Sequence, residues 1–223
     1  MSAPMNSHPD QPLDPQTAIG YVVESAGVLE AWREIAHGTN EPSALVQSLV
    51  SAGLTADAIR CIAVAIPARQ NVWWAWVSAR HTLAGAAAEG VKDSPRLQEL
   101  LDMVEQWIAA PDDQKRRAIW SAAQTLGIKH PVTLASAALY FSGGSIAEGD
   151  GAPPVPAPPG MVATFVAAAV TVATLQGPPE QMDDRVRSSV AQGVEIVTKL
   201  GGWAHSIGHV RQESSAQRQP QGA

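Results

Sequence analysis

Apolar positions recur at intervals of three and four from about residue 17 to residue 200, and the strict alternation of a half-buried strand is missing. Ile19, Val22, Val23, Val28, Leu29, Trp32 and Ile35 make the first series, with Thr17 or Asp14 placed to cap it and "HGTNEP" breaking it. Leu45, Val46, Leu49 and Val50 predict a helix over Ser43–Val50. Thr55 then stands as a cap for "ADAIRCIAVAI", which Pro67 ends by withdrawing an amide donor.

The next helix, predicted from about Ala68 to Gly85, carries "NVWWAWVSAR", with three of the chain's seven tryptophans in four positions. At about 100° per residue, Trp73, Trp76, Val77 and Arg80 share a face and Trp74 lies about a third of a turn away. That face predicts Trp73 and Trp76 as a packing centre, each ring burying about 150–250 Å². Trp74 is left over. With Arg69 and Arg80 it forms the candidate partner or ligand surface, because tryptophan and arginine dominate interface anchors.

Pro95 suits the first turn of a helix whose stripe is Leu97, Leu100, Leu101, Val104, Trp107 and Ile108. "APDDQ" turns into another, with Asp112 and Asp113 at its positive end and Ile119, Trp120, Ala123 and Leu126 on its inner face. His130-Pro131 opens a helix through Leu134, Ala138 and Tyr140 to "FSGGS", where Gly143 is placed for a left-handed stop. "GDGAPPVPAPPG" is extended, and helices over about 160–175 and 179–200 close at Gly201-Gly202. The pattern therefore predicts nine or ten helices in an all-α single domain. Its form is a helical bundle or a short solenoid-like stack of helix pairs, crossed by a proline-rich strap over Pro153–Pro159. Residues 1–15 read as a flexible leader, 16–203 as the domain and 204–223 as a flexible tail.

Composition agrees, since 45% hydrophobic against 5% aromatic residues favours closely approaching, alanine-rich helices. A net charge of −6, with no basic block longer than Lys115-Arg116-Arg117, argues against a nucleic-acid partner. No basic region followed by an apolar run stands at the N-terminus, and the single cysteine fits a reducing compartment, so the expected location is the cytoplasm. "MVATFVAAAVTVATL" is uncharged, but a span needs about twenty apolar residues, so it reads as a core helix and membrane association is not expected.

Candidate chemistry is sparse. His205 and His209 have the i, i+4 spacing of a metal pair, but Ser206 stands where a zinc hydrolase has its glutamate, and Gly208 weakens the helix. Cys61 lies on an apolar stripe and reads as a buried small hydrophobe. Ser142–Ser145 lacks the lysine of a phosphate loop, and Asp112, Asp113, Glu148 and Asp150 read as caps and loop acids. No catalytic residue, cofactor or metal ligand is assigned.

Three stretches, "IPARQNVWWA", "VEQWIAAPDDQKRRA" and "LYFSGGSIAEGDGAPPVPAPP", together resemble an uncharacterised bacterial family, the domain of unknown function catalogued as sixty-nine thirty-one. The resemblance implies no activity, and by analogy alone it suggests an accessory role beside a secretion or signalling system. The expected function is that of a non-enzymatic scaffold or adaptor with a protein partner, its oligomeric state open. The alternative is a protein binding a small anion, or an enzyme, with a pocket between the Trp73 helix and the Ser142–Ser145 turn.

Overall fold

The computed structural model describes residues 14–27, 35, 39–88, 93–147 and 152–218, without the side chains of 84–88 and 217–218. Ten α-helices fill them: α1 (Ala18–Ser25), α2 (Pro42–Ser51), α3 (Thr55–Ala63), α4 (Ala68–Ala88), α5 (Ser94–Ala109), α6 (Asp113–Leu126), α7 (Pro131–Tyr140), α8 (Met161–Leu175), α9 (Met182–Lys199) and α10 (Trp203–Arg218). A 3₁₀ turn at Pro179–Gln181 precedes α9. Among the described residues there is no strand, and Ser145 and Pro156 form a lone antiparallel bridge. The fold is all-α, as the periodicity predicts.

Three helices make the centre. α7 is buried at every residue, and its alanines, serine and threonine let α4, α5, α6 and α8 approach it closely. α8, the uncharged segment, lies against α3, α4 and α7 and buries Val166, Ala169 and Val170 there. No described helix is long and apolar enough to cross a membrane. α4 is the third, packed against α5, α7, α8 and α9, so that only a narrow line of it remains outside.

The ends of these helices follow the sequence with small differences. Thr17 caps α1 by accepting the Gly20 amide at 3.1 Å, and α1 stops before Gly27, whose φ of 64° turns the chain. The expected continuation through Val28–Trp32 lies outside the described residues. Thr55 is the first residue of α3 rather than its cap, and Leu54 stands before it without a side-chain bond. Asp112 caps α6, its Oδ1 accepting the Lys115 amide at 2.7 Å. His130 caps α7 through Nδ1, which accepts the Val132 amide at 3.2 Å, while Thr133 Oγ1 accepts the His130 amide at 3.1 Å.

The C-terminal expectation needs correction. Residues 204–218 belong to α10, which is docked on the body: Ile207 is buried, Ser206 Oγ donates to Ala65 O at 2.5 Å, Glu213 Oε2 accepts the Ala68 amide at 2.9 Å, and Arg211 donates from Nη2 to Pro15 O at 2.6 Å with its guanidinium over the Tyr21 ring. Serine at position 206 gives that face a short polar contact that a hydropathy pattern does not register. The leader, apart from Asp14 and Pro15, and residues 219–223 lie outside the described residues.

Candidate functional site

The outward line of α4 runs through Arg69, Gln70, Trp73, Val77, Arg80 and His81, at intervals of three and four. Trp73 is 38% exposed on it, whereas Trp74 is 0% and Trp76 7% exposed. The expected division of the tryptophans is therefore reversed for Trp73 and Trp74. On a helix enclosed by four others, the repeating stripe is the side facing solvent, and the residue a third of a turn away points inward. Trp74 packs its ring edge against Gly193 and Ile62, where a Cβ on Gly193 would lie 2.7 Å from Trp74 Cζ2. Its Nε1 has no acceptor among the described residues. Trp76 donates Nε1–H to Leu101 O at 3.1 Å, and the Arg80 guanidinium lies over its ring at 5.3 Å from the centroid.

Arg69, Trp74 and Arg80 consequently do not share a surface. Trp74 is core. Arg69 turns to the end of α5, donating from Nε and Nη2 to Ile108 O at 2.9 and 2.5 Å and from Nη2 to Ala109 O at 3.2 Å, which satisfies carbonyls the helix leaves open.

A hollow of about 360 Å³ does lie between the start of α4 and the Ser142–Gly144 turn, lined by Arg69, Asp112, Asp113, Arg116, Gly144 and Glu213 among others. Its charges are already engaged with one another and with the backbone. The buried Arg116 donates from Nε to Asp113 Oδ1 at 2.8 Å, from Nη1 to Tyr140 O at 2.6 Å and from Nη2 to Ser145 O at 2.8 Å. Arg117 donates from Nε to Asp113 Oδ2 at 2.8 Å, from Nη2 to Ser145 O at 2.8 Å and from Nη1 to Ala147 O at 3.0 Å. The Arg117 hydrogen bond, with Arg116 adding to it, holds the Asp113 carboxyl below the usual carboxylate range. Gly144, with φ 66°, is the left-handed residue in place of Gly143, and a Cβ on it would meet Asp113 Oδ1 at 2.6 Å. The anion against this turn is the chain's own Asp113.

Beyond the turn, Ile146 N donates to Val155 O at 2.9 Å and Val155 N to Ser145 Oγ at 2.9 Å, which pins the proline segment across the outside. The remaining candidates carry little chemistry. Burial pushes the Cys61 thiol up to about 12, with Asp57 adding to it against Arg60. His205 and His209 stack edge to face, with ring centroids 4.7 Å apart, and Glu213 is taken by the Ala68 amide. Among the described residues no group of three or more histidine, cysteine or acidic side chains is placed to hold a metal ion.

Two further hollows flank α9. An apolar groove of about 240 Å³ runs between α4 and α9, with Trp73, Ile196 and Leu200 in it and Gln70, Glu195 and Lys199 at its edge. Around α9 from it lies a polar cleft of about 560 Å³, whose lining includes His81, His130, Arg185, Ser189 and Gln192. Neither was singled out by sequence. The signal for the first was present in the polar residues Arg69, Gln70, Arg80 and His81, whose spacing marks the outer line of α4 and places Trp73 on it.

The sequence pattern of the family described as "Family of unknown function (DUF6931)" matches residues 45–197, from within α2 to the last turn of α9. The chain belongs to the DUF6931 family. The match contains the tryptophan helix, the arginine clamp, the cleft and the groove up to Ile196, while Lys199 and Leu200 at the groove's end, α1 and α10 lie beyond it. Neither a search of the curated proteins nor one of the solved structures finds a match.

Proposed function

We propose that this chain is a non-enzymatic interaction module, an adaptor that receives an amphipathic helix of a partner protein in the groove between α4 and α9. The observation that carries the reading is the exposure of Trp73. Among the described residues it is the one aromatic side chain left exposed, and it stands beside Ile196 and Leu200 in an apolar groove. Indoles of this kind anchor interfaces, because they bury a large rigid area at the cost of only two side-chain torsions.

The rim is suited to the same task. Lys199 Nζ pairs with Glu195 Oε1 at 2.6 Å one turn along α9, giving the apolar centre a polar border as interfaces have. A partner helix presenting apolar residues at i, i+3 and i+7 fits such a groove. This replaces the Arg69, Trp74 and Arg80 surface with one centred on Trp73. An accessory place in the cytoplasm, beside a secretion or signalling system, belongs to the same proposal and rests on analogy with the family resemblance alone.

The test is co-purification from the native host with wild-type chain, Trp73→Ala and, as a control on the far side of α5, Gln98→Ala. A stoichiometric protein retained by wild type and Gln98→Ala and lost with Trp73→Ala supports the proposal. Retention by wild type and both variants alike, or recovery of no stoichiometric protein, contradicts it.

A further inference from the structure

The polar cleft is set apart from the rest of the surface by its charge. The chain carries 21 acidic residues against 15 lysines and arginines, yet among the described residues no Asp or Glu lines this cleft, which holds one arginine and two histidines. Asp183 and Asp184 are in the adjacent first turn of α9 but off the lining, and Asp184 pairs with Arg187.

The arginine is held in position. Arg185 donates from Nε to Thr174 O and from Nη1 to Pro178 O, each at 3.0 Å, capping the end of α8. Gly177, with φ 100°, lets the chain pass against the guanidinium, and a Cβ there would lie 3.4 Å from Nη1. Both partners are neutral carbonyls, and among the described residues no carboxylate pairs with Arg185. No described carboxylate neutralises its charge in an ion pair, and its fork is already oriented before any ligand arrives.

The other groups read hydroxyls. Ser78 Oγ donates to Trp74 O at 3.0 Å and Thr82 Oγ1 to Ala79 O at 2.8 Å, so each is left with lone pairs for a donor. His130 Nδ1 accepts the Val132 amide, which puts the ring proton on Nε2 as a donor. The amides of Gln181 and Gln192 supply both kinds of group.

We infer that this cleft binds a small polyhydroxylated anion, of the class of sugar phosphates and sugar acids, with the anionic head on Arg185 and the hydroxyls on the serines, Thr82 and the glutamines. The volume of about 560 Å³ lies within the usual range for small-molecule sites. The site is distinct from the partner groove, and the two meet only at Gln192.

Isothermal titration with glucose 6-phosphate and with gluconate tests it, with glucose and inorganic phosphate as the separated halves. At least one of the two whole anions binds saturably with one site per chain, and each half binds roughly tenfold more weakly or not at all. Ser189→Leu, which fills the cleft without removing a structural bond, and Arg185→Gln each weaken that binding roughly tenfold, while Trp73→Ala leaves it unchanged. Circular dichroism confirms that the variants are folded. The inference is overturned if neither whole anion binds, if inorganic phosphate binds as tightly as they do, or if Ser189→Leu binds like wild type.

Discussion

Gly193 of α9 faces the ring edge of Trp74 so closely that an added Cβ would lie 2.7 Å from Trp74 Cζ2 and 2.8 Å from Ile62 Cγ2. The close approach of α9 to α4 and α3 depends on that missing side chain, and with it the position of Ile196 and Leu200 beside Trp73. Gly193→Ala is therefore expected to lower stability by about 1–3 kcal/mol through overpacking, despite alanine's higher helix propensity. Gly208→Ala in α10 is the matched control. Nothing lies within 4 Å of its added Cβ, so it is expected to raise stability by about 0.5–1 kcal/mol. Urea denaturation of the two variants compares them directly.

The Asp113–Arg116–Arg117 clamp predicts a loss that charge alone does not rescue. Arg116→Ala leaves Tyr140 O without its buried donor and removes one of two donors from Ser145 O, which costs about 2–4 kcal/mol. Arg116→Lys keeps the charge but not the fork, and is expected to recover less than half of the loss. Equal stability of Arg116→Lys and wild type in thermal melts would remove the clamp from the account.

Acid sensitivity follows from His130. Burial lowers its pKa below the ordinary 6.5, so the unfolded chain takes up the proton first. The associated stability is present above 6.5 and is lost as pH falls from there through the lower folded value. Asp113, also lowered, behaves alike in a more acid window, with stability present above the usual carboxylate range and lost as pH falls through its folded value. His130→Asn keeps a capping side chain and is expected to flatten the dependence of urea midpoints between about pH 7 and pH 5. A slope unchanged in that variant would assign the effect to another group.

Cys61 is expected to be silent. Fully buried and with its thiol pushed up to about 12, it resists an aromatic disulfide reagent at mildly alkaline pH until denaturant is added. Labelling of the folded protein at the rate of a free thiol would show that α3 opens from its place against α8.

Much of this architecture is visible in the sequence, because a three-to-four periodicity interrupted by proline, glycine and acidic caps leaves few choices for an all-α chain. Asp112, Thr17 and Pro131 stand at their expected helix starts. The orientation of α4 was less accessible. When a helix is apolar on nearly every side, the hydrophobic stripe no longer points to the core, and only Arg69, Gln70, Arg80 and His81 report the outward direction. α10 is hidden from the pattern for a related reason: its docking relies in part on Ser206 and Glu213, polar residues whose partners, Ala65 O and Ala68 N, are about 140 positions away. The polar cleft gathers Ser78 and His81, His130, Arg185 and Gln192 from two helices and a cap, and no local spacing announces it.

Site-specific photocrosslinking in the native host addresses the central proposal most directly. A photoreactive residue is placed at Gln70, beside Trp73 in the groove, and in a separate chain at Gln98 on α5. The proposal predicts one discrete adduct from position 70, none from position 98, and loss of the adduct when Trp73→Ala is added. Equal adducts from both positions, or an adduct from position 70 that persists without the indole, would contradict it.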